Sequence, residues 1–340
     1  MIGRSVVTTH VPARERRRSR SGRLRKRRDL VVAAGVALAL VTVTTAAELS
    51  RRPASTPATP AAAARATARP PLGFSFKGLD ARTGATVAVR ARSGILVDLD
   101  TRTVLWAREQ DARRAPASLT KMVTAMVALD HASPDQVLTV PREAAAMPPD
   151  RMGLRAGEKV TVREALYGLF LDSGNDAATT LATRILRWGR FVADMNAKVR
   201  ALGLHDTRFV NATGLDATGH FSTAYDLAVI GGYLEAHYPL LARIAATPEK
   251  VIPATATHRA FDARNLNKML TIYPGATGLK TGFTDFAGGC LVASATRAGR
   301  HLLAVVLGSD VFFTDAVHLL DYGFSRPPGP AATRTAGATS

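Results

Sequence analysis

A serine and a lysine three residues apart, Ser118 and Lys121 in Pro116-Ala-Ser-Leu-Thr-Lys-Met122, are the first pair in this sequence able to do covalent chemistry. A serine hydroxyl is inert at neutral pH until a base takes its proton, and a lysine is a base only when desolvation or nearby positive charge lowers its pKa. Apolar residues recur at Leu119, Met122, Val123, Met126 and Val127, the spacing of a buried helix face. A helix opening at Ser118 puts both side chains on one face. Its N-terminal dipole favours negative charge developing near the serine. Alone the S-x-x-K spacing is weak evidence, because a capping serine and a solvated lysine give the same pattern.

Two further motifs follow. Ser173-Gly174-Asn175 interrupts two apolar helical runs. Ser, Gly and Asn are ordinary turn residues; the functional alternative makes Ser173 a proton relay near Lys121 and Asn175 a donor to a substrate amide. Lys280-Thr281-Gly282 falls in a predicted strand over 278–284, where glycine is costly unless another backbone comes close. An extended substrate lying along that strand is expected to use the clearance; the ordinary reading is a strand-end turn with a solvated lysine. The three motifs stand in this order, 55 and then 107 residues apart. That joint occurrence, in the manner of serine acyl-transfer enzymes that react with penicillins, carries far more weight than any one motif.

The elements that must position these residues are legible in outline. Residues 94–100 and 103–107 form two short strands around a tight turn. Thr161-x-x-Glu164 is a capping box opening a helix over 165–171, and helical patterns cover 175–186 and 191–202. Thr223-x-x-Asp226 repeats the capping signal before 227–234, and both acids are assigned to capping. Strands over 278–284, 290–296 and 301–307 form an antiparallel meander, with a closing helix over 312–322. Strands at both ends and helices between predict an α+β fold, in which an antiparallel sheet flanked by helices carries an inserted helical lobe. Cys290, the only cysteine, sits in a strand and is assigned a packing role; it excludes an internal disulfide and a cysteine zinc site. The eight histidines show no metallopeptidase spacing.

With 340 residues and 46% apolar content the chain can bury a full core. Its net charge of +18 raises the question of nucleic acid, but residues 1–29 hold eleven Arg or Lys against two acids, half of the total. An uncharged apolar run over 30–47 follows, long enough to enter a bilayer as a transmembrane or signal segment. By the positive-inside rule the basic head stays in the cytoplasm and the rest is exported. Residues 48–73, rich in Ala, Pro, Thr and Arg, read as a linker, 74–325 as the catalytic domain and 326–340 as a disordered tail. No nucleic-acid partner is expected.

With their flanks, the motifs resemble serine-type D-alanyl-D-alanine carboxypeptidases, the low-molecular-mass penicillin-binding proteins with a β-lactamase-like fold. The resemblance spans 93–324 and includes Gly214-Leu-Asp and Gly219-His-Phe-Ser-Thr. It implies a three-layer α/β/α domain and an acyl-enzyme cycle that trims the terminal D-alanine from peptidoglycan stem peptides without cofactor or metal. It also implies that Ser118 is the nucleophile, Lys121 its base, and Ser173 an aid to leaving-group protonation. Asn175 would hold a substrate amide, Lys280, Thr281 and Gly282 the terminal carboxylate end. The backbone N–H groups of Ser118 and Phe283 would form the oxyanion hole. β-Lactams would acylate the same serine. His220 is assigned a structural role. A β-lactamase is the nearest alternative, weakened because no E-x-x-L-N pattern follows Ser173; a non-catalytic envelope peptide-binding protein is another. Several members carry a C-terminal β domain and anchor, whereas this chain ends 16 residues past Phe324.

Overall fold

The computed structural model describes residues 74–76 and 87–327, so the basic head, the apolar run, the linker and most of the tail read from the sequence lie outside the described residues. No helix among the described residues is long and apolar enough to cross a membrane. The described chain begins its regular structure with a hairpin, β1 Ser93–Asp98 and β2 Thr103–Arg108. A 3-10 turn over Ala117–Thr120 then leads into α1 Lys121–His131. Next come β3 Val137–Thr139, α2 Arg142–Ala145, β4 Lys159–Thr161, α3 Val162–Phe170, α4 Asn175–Ile185 and α5 Trp188–Ala201. They are followed by α6 Ala224–His237, α7 Pro239–Ala245, β5 Glu249–Ile252, β6 Phe261–Arg264 and α8 Met269–Ile272. The meander β7 Ala276–Thr284, β8 Gly288–Arg297 and β9 Arg300–Ser309 precedes the last helix, α9 Phe312–Phe324.

The main sheet runs β2-β1-β9-β8-β7, all antiparallel, and is closed by pairing the first strand with the last, Ser93 opposite Leu307 through Asp98 opposite Leu302. Strand alternation sends Ile95, Val97, Val292, Leu303 and Val305 into one core, and Leu96, Leu291, Ala293, Ala304 and Val306 into another. The first core packs under α6, the second under α9, which contributes Ala316, Leu319 and Leu320. This is the predicted α+β architecture, a sheet with helices on both faces and a helical insertion between β2 and β7. Helix α6 lies close to the sheet because Gly231 has no side chain: a Cβ there would stand 3.0 Å from Leu303 and 3.1 Å from Val292.

Capping read from the sequence is realised. The Thr161 side chain accepts from Glu164 N and the Glu164 carboxylate accepts from Thr161 N, while the Thr223 hydroxyl accepts from Asp226 N. Two details differ. The helix expected from Ser118 starts with a 3-10 turn, so α1 begins at Lys121, and no side chain caps that turn. The hairpins β3–β4 and β5–β6 are only three and four residues per strand, too short to show an alternating pattern.

For function, two consequences matter. Strand β7 is an edge of the sheet, with one side unpaired among the described residues, and it packs against the 3-10 turn that bears Ser118. Helix α1 is buried among α3, α4, α5 and α6, so Lys121 enters the interior at its first residue.

Candidate active site

Ser118 sits at the junction of sheet and helical insertion, held by backbone on two sides. A Cβ on Gly214, whose φ is +88°, would stand 2.0 Å from Ala117 O and 2.9 Å from Ser118 N. A Cβ on Gly282 would stand 2.9 Å from Ser118 N and 3.0 Å from the Ala117 Cβ. This corrects the expectation for Gly282: the clearance it provides on β7 is occupied by the protein's own turn. The physical reason is that the backbone of the Ala117–Ser118 turn packs on the face of β7 at Gly282. Ala117 itself has φ of +47°, an uncommon conformation for a residue with a Cβ.

Lys121 is fully buried, and its Nζ has three acceptors: Ser118 Oγ at 2.7 Å, Asn175 Oδ1 at 2.8 Å and Thr213 O at 2.6 Å. Burial, and then the positive charge of Lys280, hold its pKa well below the usual lysine value, against smaller opposing effects of Asp150 and Asp176. The neutral amine has two hydrogens and one lone pair. An amide oxygen and a peptide carbonyl can only accept, so they take the two hydrogens. The lone pair is left for Ser118, whose hydroxyl can donate. The geometry therefore leaves the amine's lone pair facing the Ser118 hydroxyl.

The acceptor Thr213 O was not legible in the sequence, since a carbonyl has no residue signature. Its loop is shaped by Asn211, whose Oδ1 accepts from Gly214 N at 2.7 Å and from Thr213 N at 3.1 Å, while its Nδ2 donates to Leu215 O at 2.8 Å. His220 is structural, as expected. Its Nδ1 accepts from Val210 N at 3.2 Å, which leaves Nε2–H to donate to Thr120 Oγ1 at 2.8 Å; Thr120 in turn donates to Ala117 O at 2.9 Å. Burial lowers its pKa to about 4, so this neutral tautomer persists at physiological pH.

The second motif comes alongside the first. Asn175 orients Lys121 through Oδ1 and donates both amide hydrogens to the protein, to Pro148 O at 3.1 Å and Pro149 O at 2.9 Å. Its amide is therefore committed within the protein here, unlike the substrate-holding role expected of it. The reason is the 147–154 loop, which brings two carbonyls against the start of α4. Ser173, 2% exposed with φ of +56°, makes no side-chain hydrogen bond among the described residues. Asp176, with no role of its own legible in the sequence, has a long reach: besides Ala177 N, it accepts from Met152 N at 2.9 Å, Gly153 N at 2.7 Å and Leu154 N at 2.8 Å. Gly174 permits this, as a Cβ there would meet Asp176 Oδ1 at 2.7 Å.

The third motif lines the edge strand. Lys280 is 1% exposed, donates to Thr281 O at 3.0 Å, and has a pKa lowered to about 7 by burial, against the raising effects of Asp150 and Asp172. Its remaining hydrogens have no protein acceptor among the described residues. Thr281 is buried beside it, while the Phe283 ring is 65% exposed. Ser118 lies in the first turn of its helix, where N–H groups have no intrahelical acceptor. Cys290 is buried in β8, as anticipated, and burial raises its thiol pKa to about 11. No cluster of three or more potential metal ligands occurs among the described residues.

A hydroxyl hydrogen-bonded to a buried amine of lowered pKa, a strand edge beside it and a second buried lysine define a serine acyl-transfer site. A family model described as D-alanyl-D-alanine carboxypeptidase matches residues 80–311. The D-alanyl-D-alanine carboxypeptidase DacF of Bacillus subtilis is 36% identical over 262 residues, 74% of this chain and 67% of that protein. DacB2 of Mycobacterium tuberculosis is 35% identical over 246 residues, 70% of this chain and 84% of that protein. Among solved structures, a D-alanyl-D-alanine carboxypeptidase from Mycobacterium tuberculosis aligns with TM-score 0.65 and 33% identity over 77% of this chain and 98% of that one. A Streptomyces DD-transpeptidase aligns with TM-score 0.66 and 32% identity over 70% and 98%. The chain belongs to the D-alanyl-D-alanine carboxypeptidase family.

Asp176 generates a testable expectation. Asp176→Ala strands three N–H groups of the 152–154 loop, at about 1–3 kcal/mol for each that water cannot reach. Urea unfolding should show a loss on the order of 3 kcal/mol; a loss under about 0.5 kcal/mol would mean that this carboxylate does not hold the loop.

Proposed function

We propose that the protein is a serine carboxypeptidase that releases the terminal D-alanine from peptides ending in D-Ala-D-Ala, with peptidoglycan stem peptides as its substrate class. The observation carrying this reading is the Lys121 amine, buried, depressed in pKa and 2.7 Å from Ser118 Oγ. Lys121 takes the Ser118 proton as Oγ attacks the carbonyl of the penultimate D-alanine. The oxyanion is received by the backbone N–H groups of Ser118 and Phe283, and the terminal carboxylate by Lys280 and Thr281 beside Gly282. The proton returns to the departing amine, with the unengaged Ser173 hydroxyl as the relay. Water then enters where D-alanine left, gives its proton to Lys121, and releases the shortened peptide.

Penicillins would acylate the same serine, and their opened ring keeps the leaving amine tethered where water must approach. No motif-placed carboxylate primes that water, so the peptide should turn over faster than the penicillin adduct, the reverse of a β-lactamase. General-base catalysis is typically worth about 10²–10⁴-fold, enough to separate the two. The central experiment is mass spectrometry of the protein and of a D-Ala-D-Ala peptide, with and without penicillin. The expected result is one adduct on Ser118, absent from Ser118→Ala, that outlives peptide turnover. An adduct on Ser118→Ala, or adduct hydrolysis as fast as peptide turnover, would sink the assignment.

The pH dependence follows from the two lysines. Lys121 must be neutral, so kcat/KM rises as pH passes its lowered pKa. Lys280 must be charged to hold a carboxylate, so kcat/KM falls above about pH 7. The limbs belong to the coupled pair, since each charge acts on the other. A peptide with its terminal carboxylate esterified should lose the alkaline limb; an unchanged limb would remove Lys280 from carboxylate binding.

Residues 74–325 form the catalytic domain in this reading, and residues 1–73 supply a cytoplasmic basic head, a membrane or signal segment and a spacer that place it on the outer face of the cytoplasmic membrane. The run of eleven cationic residues before the apolar 30–47 stretch supports this orientation. A reporter fused after Phe324 should be active only outside the cytoplasm; activity confined to the inside would overturn it.

A further inference from the structure

A cavity of about 650 Å³ opens beside Ala115, three residues before the nucleophile, between the 216–221 loop and the turn that follows β7. Arg92, Arg113 and Arg114 line it, with Asp216 and the exposed Phe286. The acyl-enzyme chemistry uses none of these residues.

The three guanidinium groups are not equivalent. Arg113 is paired with Asp206 at 2.7 Å and lies over the Phe221 ring, 4.7 Å from its centroid. Arg114 is tethered by Nε to Ser93 Oγ and by a long contact of 3.4 Å to Arg92 O. The Arg92 guanidinium has no hydrogen-bond or ion-pair partner among the described residues, although its stem packs on Gly308. Asp216, the acid in the lining, accepts from Thr284 Oγ1 at 2.9 Å, and His220 at the cavity wall is neutral at physiological pH. The cavity is therefore cationic, with one arginine unspent.

Its position relative to β7 names the ligand. In the proposed mode, a peptide pairs with the open edge of β7, with its carboxylate at Lys280 and its scissile carbonyl at Ser118 beside Gly282. An antiparallel peptide then runs upstream past Phe283 to Thr284, whose hydroxyl touches Asp216 at the cavity rim. From Gly282 to Thr284 the strand advances about 7 Å, two residues of an extended peptide. The side chain of the residue preceding D-Ala-D-Ala thus reaches the cavity mouth.

We infer that this arginine-lined cavity is a subsite for a carboxylate borne by the substrate residue immediately upstream of D-Ala-D-Ala, with Arg92 as its principal contact. The inference rests on the D-Ala-D-Ala reading and extends it: the enzyme selects stem peptides whose third-from-last residue carries a free acid over those in which that acid is amidated. Charge-assisted pairing to guanidinium supplies the preference, and no covalent step changes.

The test uses the full-length protein with two probes, acetyl-Glu-D-Ala-D-Ala and acetyl-Gln-D-Ala-D-Ala. Wild type should show a kcat/KM for the glutamate peptide about tenfold above that for the glutamine peptide, the ratio falling as salt is raised. In Arg92→Gln the ratio should approach one. Equal kcat/KM values in wild type, or a ratio that survives Arg92→Gln, would overturn the subsite. If neither peptide is hydrolysed, the D-Ala-D-Ala reading fails by itself. Calorimetric binding of the same peptides to Ser118→Ala then decides the subsite: about tenfold tighter binding of the glutamate peptide supports it, and equal binding rejects it.

Discussion

The site depends on holding one amine inside the protein with its pKa well below the usual lysine value. A buried lysine without partners would be costly in either state, and a lysine beside a carboxylate would hold its proton. Here the partners within hydrogen-bond reach of Lys121 Nζ are an amide oxygen, a peptide carbonyl and the serine it serves. None is anionic, so nothing in contact stabilises the ammonium as a carboxylate would, and the two obligate acceptors fix where the lone pair points. In the proposed mechanism, activation of Ser118 follows from that arrangement.

Much of the neighbouring structure can be read as what holds the acceptors in place. Thr213 O is presented by a loop tied by Asn211 and closed against Ala117 at Gly214. Asn175 Oδ1 is presented because its amide hydrogens are fixed on Pro148 and Pro149, in a loop anchored in turn by Asp176. The His220–Thr120–Ala117 chain secures the turn from the opposite side. Loss of any of these supports would move an acceptor before it touched the reacting atoms.

The sequence made the fold and the three motifs legible for the same reason: both are encoded in short-range spacing. Ser118 and Lys121 lie one helical turn apart, the Thr161 and Thr223 caps announce themselves three residues ahead, and the meander shows strands separated by turn residues. What was not legible acts through backbone atoms brought from afar. Thr213 lies 92 residues from Lys121. The demand for glycine at Gly282 was visible but not its cause, because a strand's sequence gives no sign of whether substrate or protein will pack on it. Asp176 carried no signal of its role, because apart from the bond from Ala177 N its partners are N–H groups in a loop more than twenty residues away.

The two lysines pose a question of mutual influence. Lys280 contributes to lowering the Lys121 pKa, yet its charge is the one that a substrate carboxylate would neutralise. If Lys280 were the main cause, binding would restore the proton to Lys121 and extinguish the base when it is needed. Burial is the larger cause, and a bound peptide lying over the β7 edge removes water further. Desolvation therefore strengthens as the electrostatic contribution weakens, and the downward pull on the Lys121 pKa persists through binding. In the proposed mechanism the carboxylate site and the base can stand side by side because they rely on different physical effects.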